Sequence, residues 1–225
     1  MSADRAGIRS VEICFVRHGE TQWNLEGRIQ GHRESALSAR GLLQSQAVAQ
    51  RLTRMGTWQV VYSSDLVRAR QTASAIASAL GRSVRTCPEL RERAQGNLEG
   101  TLITDIQASD IDSPDIGRED SEAFALRCRQ AMNTVSMREG SAIVVTHGGL
   151  IRLLRQHFGS ADTGLAGVPR NASISILSGE PPHVRWPVYD DIGHLGDGVL
   201  DSGSHDVIDA LVGVGLDAIP PEKFV

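Results

Sequence analysis

The chain has 225 residues, 40% hydrophobic and 22% charged, with a formal net charge of -4 and a pI near 6.0. That length can bury a sizeable core and suits one large α/β domain, while the slight acidity excludes a general nucleic-acid or anionic-membrane footprint. Cys14, Cys87 and Cys128 are too few and too scattered for a disulfide framework or metal cluster and read as thiols of a cytoplasmic protein; no long apolar stretch marks a signal peptide or membrane span.

Residues 1–10 form a polar, loose tail. Val11 to Val16 is an apolar run that reads as a buried strand and ends in Arg17-His18-Gly19. Gln22 to Ala36 has no clean periodicity and reads as a loop. Ser38 then caps a helix to Met55, with Leu42, Leu43, Ala47 and Leu52 on its inner side and Gly56 as its stop. Val60 to Ser63 is a second strand, followed by a helix from Leu66 to Leu80 that Ser64 or Asp65 caps and Gly81 closes. Ser83 to Thr86 is a third strand, and a weak helix is expected near Leu102 to Ser109. The segment Ile103 to Glu122 is acidic, with Arg118 its only basic residue. A helix from Ser121 to Arg138 follows, then a buried strand, Ala142 to Thr146, and a helix that Gly148-Gly149 opens and Phe158 ends. Asn171 to Leu177 alternates as a strand should, and Val184 to Trp186 is an edge strand among prolines. From Asp190 the chain is a glycine- and aspartate-rich tail with one short helix, Asp206 to Val212. Strands alternating with helices predict a mostly parallel sheet covered on both faces, a three-layer α/β/α domain over residues 11–189.

Such a sheet binds ligands beyond the C-terminal ends of its strands. The first strand delivers Arg17 and His18 there, the second leads through Ser63-Ser64 to Arg68, and the fourth ends in Thr146-His147 before Gly148-Gly149. Two histidines and two arginines beside helix N-termini suit a phosphoryl group, since the N-termini add N–H groups and partial positive charge. Of 23 basic residues only Lys223 is a lysine, so a phosphate site must use arginine, whose planar fork fits that anion. No cluster has metal-ligand spacing, and neither metal nor cofactor is expected.

The stretch Phe15-Val16-Arg17-His18-Gly19-Glu20-Thr21 resembles the opening motif of the histidine phosphatase (phosphoglycerate mutase-like) superfamily. Four later stretches resemble that family in the same order: Asn24 with Gly27-Arg28-Ile29-Gln30-Gly31, Ser63 to Ala73, Leu90 to Gly100, and Val144 to Gly149. The resemblance covers Val11 to Leu177 and implies a phosphoglycerate mutase-like fold and a phosphorylated His18. Its Leu-x-Glu pattern, with Gly96 and then Glu99-Gly100 behind, selects Glu92 over Glu89 and Glu99 as proton donor and leaves Glu99 structural. It also puts Asn24 on the transferring phosphate, although that residue reads equally as a loop former. Gln30, Gly31 and Gly148 complete the expected phosphate and substrate contacts.

The chemistry that follows is a two-step transfer: neutral His18 attacks phosphorus while Arg17, Arg68 and His147 surround the equatorial oxygens. Glu92 protonates the departing alkoxide and then activates water. A metal-independent phosphatase acting on a small phosphate monoester is the first reading, a cofactor-dependent phosphoglycerate mutase the second, and an inactive binding module the third. Mutases resembling this chain carry a long insertion, whereas Glu92 and His147 are only 55 positions apart here. The intervening acidity favours substrates with a neutral remainder. The stretch after Tyr189 is a candidate lid, and nothing in the sequence sets an oligomeric state.

Overall fold

The computed structural model describes residues 12–107, 110, 116–135, 140–158, 167–179, 183–196 and 199. Strand β1, Glu12–Arg17, lies inside a six-stranded sheet. A short helix α1, Gln22–Glu26, follows it, then helix α2, Ala39–Met55. Next come β2, Val60–Ser63, α3, Val67–Leu80, and β3, Val84–Thr86. Helix α4, Ser121–Thr134, precedes β4, Ala142–Thr146, and helix α5, Gly148–Phe158. Strands β5, Ile174–Ser178, and β6, Arg185–Asp191, complete the sheet in the order β3-β2-β4-β1-β5-β6. The pairs β1/β4, β2/β3 and β2/β4 are parallel, whereas β5 runs antiparallel to both β1 and β6.

Alternation along β1 sends Ile13 and Phe15 into one core and Cys14 and Val16 into the other. Phe124 and Cys128 of α4 and Leu150, Ile151 and Leu154 of α5 fill the first. Val48 and Leu52 of α2 and Ala69, Ala73 and Ile76 of α3 fill the second. The result is the expected three-layer domain, with β1, β2 and β4 ending along one edge.

Several local expectations need correction. Gln22 to Ala36 is not all loop: Thr21 caps α1 by accepting from the Asn24 N–H at 3.0 Å, and a five-residue helix is too short to show a period. Helix α2 does begin at Ser38, whose Oγ accepts from the Gly41 N–H. Its inner face, however, is Gly41, Gln44, Ser45, Val48, Ala49 and Leu52, while Leu42 and Leu43 are exposed. Polar residues point inward there because they meet the turn after β1: Gln44 Oε1 accepts from the Glu20 N–H at 2.8 Å. A side chain at Gly41 would collide with the Glu20 carbonyl, so glycine alone allows this approach.

Neither Ser64 nor Asp65 caps α3 in the expected way. Asp65 pairs bidentately with Arg91 at 2.7 and 2.6 Å, and the Val67 N–H is met by Glu34 from the preceding loop at 2.8 Å. Of the weak helix near Leu102 to Ser109 the described residues show a 3-10 turn, Ile103–Asp105, with Asp110 helical and residues 108 and 109 outside them, and α4 ends at Thr134 rather than Arg138. Strand β5 starts at Ile174, since Ala172 has φ 56° and turns the chain. Strand β6 is longer than expected and carries Pro187 on its exposed edge. The expected helix at 206–212 lies outside the described residues.

Candidate active site

The strand-end edge carries a cavity lined by His18, Arg17, Arg68, Glu92, Asn24, Gln30, Gly31 and Gly148 of the expected residues. His147 is fully buried behind that lining, its ring 5.2 Å from the His18 ring and edge-on to it. All the expected site residues therefore come together. Arg28, Ile29, Gln95, Gly149 and Val168 line the cavity without having been singled out. Arg28 stands inside the quoted Gly27 to Gly31 stretch and Gln95 inside the acid-bearing stretch, so both had a signal. Val168 had none.

His18 Nδ1 lies 2.8 Å from the Gly19 carbonyl oxygen. A carbonyl only accepts, so Nδ1 carries the proton and the neutral ring keeps its lone pair on Nε2. The turn is held from several directions. The Gly19 N–H donates to Thr72 Oγ1 at 3.0 Å, and Asn171 Nδ2 donates to the His18 carbonyl at 2.9 Å.

Each arginine uses part of its fork to grip backbone. Arg17 Nη1 donates to the Pro169 carbonyl at 2.6 Å; Arg68 donates to the carbonyls of Arg33 and Gly31 at 3.0 and 2.8 Å. The Nε of both is buried without a partner among the described residues, although each residue lines the cavity. An incoming anion would satisfy them. Burial brings the Arg68 guanidinium down to about 10, against the pull of Glu92 and Glu34, which still leaves it charged near neutrality. Burial first, then Arg68, His18 and Arg17, hold His147 well below the usual histidine range and hence neutral.

Of the three glutamates in the acid segment, only Glu92 lines the cavity. Its Oε2 accepts from the Gly149 N–H in the first turn of α5, and its Oε1 from the Arg93 N–H, both at 2.9 Å. Glu99 Oε1 accepts from the N–H groups of His32 and Gln95 at 2.9 Å, tying the Gln30–His32 turn to the acid loop. A Cβ at Gly31, where φ is +52°, would strike the Glu99 side chain. Glu89 faces the Cys87 thiol.

Asn24 both holds the turn after β1 and lines the cavity. Its Oδ1 accepts from Thr21 N and Oγ1 at 3.0 and 2.9 Å, which leaves the Nδ2 end of the same amide for the cavity that Asn24 lines. Gln30 Oε1 is buried with no partner among the described residues. The acidic segment is less repulsive than its composition suggests: Glu119 pairs with Arg127, and Asp120 caps α4. No helix of the described residues is long and apolar enough to cross a membrane.

Two histidines, two buried arginines and a carboxyl stand together at the strand ends of a three-layer α/β domain, a set whose donors and charge suit a tetrahedral oxyanion. The histidine phosphatase superfamily (branch 1) profile matches residues 13–191, and the chain belongs to that family and with it to the phosphoric monoester hydrolases. It is 33% identical over 222 residues to phosphoglycerate mutase-like protein 4 of Arabidopsis thaliana, spanning 89% of this chain and 94% of that protein. It is 35% identical over 205 residues to a metal-independent phosphoserine phosphatase of the same plant, spanning 82% and 83%. A mycobacterial glucosyl-3-phosphoglycerate phosphatase, solved with VO3, shares the fold with a TM-score of 0.66 at 27% identity, over 80% of this chain and 99% of that one.

Proposed function

We propose that this protein is a metal-independent phosphomonoesterase of the cytoplasm that turns over a small phosphorylated metabolite through a phosphohistidine at His18. The observation that carries the reading is the pairing of His18 Nδ1 with the Gly19 carbonyl, which turns the Nε2 lone pair into the nucleophile. Arg17 and Arg68 lie beside it with unpartnered Nε groups for the equatorial oxygens. Glu92 is the acid for the leaving alkoxide and then the base for water. Asn24, Gln30, Gly31, His147 and Gly148 complete the shell around the phosphoryl group and its ester oxygen.

The name of the Arabidopsis phosphoserine phosphatase supports hydrolysis, and that of the mutase-like relative supports return of the phosphoryl group to an acceptor. The short distance along the chain from Glu92 to His147 favours hydrolysis, because it leaves little chain to enclose a phosphorylated intermediate from water. Brief mixing of the full chain with a 32P-labelled phosphomonoester in the presence of a chelator is expected to give an acid-labile, base-stable phosphoprotein and free phosphate. His18→Ala is expected to give neither. Label appearing in bisphosphoglycerate instead of free phosphate would favour the mutase, and full activity in the alanine variant would end the mechanism.

A further inference from the structure

Ser64 was read from the sequence as part of the approach to Arg68 and as a candidate helix cap, and nothing in the mechanism above uses it. We propose that Ser64 is a positioning residue that fixes the tautomer of His147, donating its hydroxyl proton to Nε2 so that the Nδ1–H is the donor offered to the phosphoryl group. This inference rests on the phosphohistidine reading and adds the orientation of its second histidine.

The geometry leaves little freedom. Ser64 sits just beyond the end of β2, with no exposed surface, and its N–H donates to the Val145 carbonyl at 3.0 Å. Its Oγ has two partners among the described residues: the Leu66 N–H at 3.3 Å and His147 Nε2 at 2.9 Å. The first of these can only donate. The hydroxyl proton therefore has one acceptor, the Nε2 lone pair, and a buried hydroxyl left without an acceptor is costly. The reverse arrangement, with Nε2–H donating to Ser64, would leave that hydroxyl proton with nothing to bond. Once Nε2 accepts, the neutral ring must carry its proton on Nδ1. His147 Nδ1 is buried and has no partner among the described residues, while the ring stands edge-on to His18.

The charges around His147 make the tautomer consequential. Arg68 faces it from α3, Arg17 and His18 from β1, and His32 from the loop after α1, all disfavouring an imidazolium. A neutral histidine presents an anion with either an N–H or a lone pair. The lone pair would repel a phosphoryl oxygen; the N–H stabilises it. Ser64, outside any contact with the substrate, decides between them.

The tautomer can be read directly on the 15N-histidine-labelled full chain. Nε2 couples to both carbon-bound ring protons, so two-bond 1H–15N spectra identify which nitrogen is bare. His147, assigned by loss of its signals in His147→Asn, is expected to have a bare Nε2 and a protonated Nδ1. A protonated Nε2 in the wild type overturns the proposal, whatever the activity. Binding of inorganic phosphate gives a second, turnover-free reading. Ser64→Ala is expected to weaken it about 10- to 100-fold, the scale on which orienting partners act at other histidine sites. His147→Asn keeps an N–H near the Nδ1 position and is expected to bind phosphate about tenfold more tightly than His147→Gln, which moves it to the Nε2 position; tenfold corresponds to one charge-assisted hydrogen bond. Tighter binding by the glutamine variant overturns the assignment. The phosphohistidine reading stands or falls separately, on labelling of His18.

Discussion

Glu92 differs from its neighbours in what its oxygens face. Both accept backbone N–H groups, one at the start of α5, and the carboxyl still lines the cavity, whereas Glu99 is committed to the Gln30–His32 turn and Glu89 to a thiol. In the proposed mechanism Glu92→Gln cannot give a proton to the leaving group. Alkyl phosphates should lose on the order of a hundredfold or more in kcat, the usual scale of general acid catalysis. p-Nitrophenyl phosphate, whose leaving group needs little help, should lose less in the phosphorylation step, as pre-steady-state kinetics would read. If Glu99→Gln gives that pattern and Glu92→Gln does not, the acid is misassigned. His18, Arg17 and His147 were legible because each ends or follows the apolar run of a strand at the same sheet edge, and Arg68 through the resemblance of Ser63 to Ala73 to the family's motif. The roles of Ser64, Thr72 and Asn171 were not: the first two lie inside the Ser63 to Ala73 stretch, but neither that resemblance nor any periodicity says which small polar residue holds a turn. Gln44 was hidden for a related reason: it faces a backbone amide inside a helix stripe where apolar residues were expected.

Helix α4 reaches the chemistry through one side chain. Arg127 donates to three carbonyls of the acid segment, Glu89, Arg91 and Glu92, at 2.9, 2.8 and 3.0 Å. It also pairs with Glu119, both side chains mostly shielded, and Glu119 in turn accepts from the Ala94 N–H. His32 Nε2 donates to the same Glu92 carbonyl at 2.7 Å, so the peptide behind the proposed acid is held from α4 on one side and from the loop after α1 on the other. Arg127→Met should cost about 2 to 3 kcal/mol in urea unfolding, because it leaves a shielded carboxylate and three carbonyls short of donors. It should also lower kcat on alkyl phosphates more than on p-nitrophenyl phosphate, since the acid would wander. A loss of stability with equal effects on both substrates would confine Arg127 to a structural role. The helix itself was foreseen, but not this function: an arginine half-way along a helix reads as solvated until the loop it grips is known. The cap of α3 was missed although its bounds were not, because Glu34, distant in sequence, meets the first N–H of the helix.

Across the whole molecule, the chain after Tyr189 begins as a support behind the site. Asp190 accepts from the Arg170 N–H and Nε at 2.6 and 2.8 Å, and the Arg170 carbonyl accepts from the Ser173 N–H. His194 Nε2 donates to the Ala172 carbonyl at 3.0 Å, and Leu195 is buried. The Ala172 N–H is shared by the carbonyls of Arg17 and His18 at 3.0 and 3.2 Å, so this packing reaches the nucleophile within two hydrogen bonds. Farther on, Gln44 of α2 donates to the Val199 carbonyl at 3.1 Å, and none of residues 190–196 or 199 lines the cavity. Among the described residues, then, the stretch expected from the sequence to form a lid is a support instead, and residues 200–225 lie outside them. Truncation after Tyr189 should therefore destabilise the protein by at least about 2 kcal/mol, the order of burying Leu195 alone, and lower kcat on the metabolite and on p-nitrophenyl phosphate together. An undisturbed midpoint and full turnover after truncation at Tyr189 would show that the nucleophile's turn stands without this support.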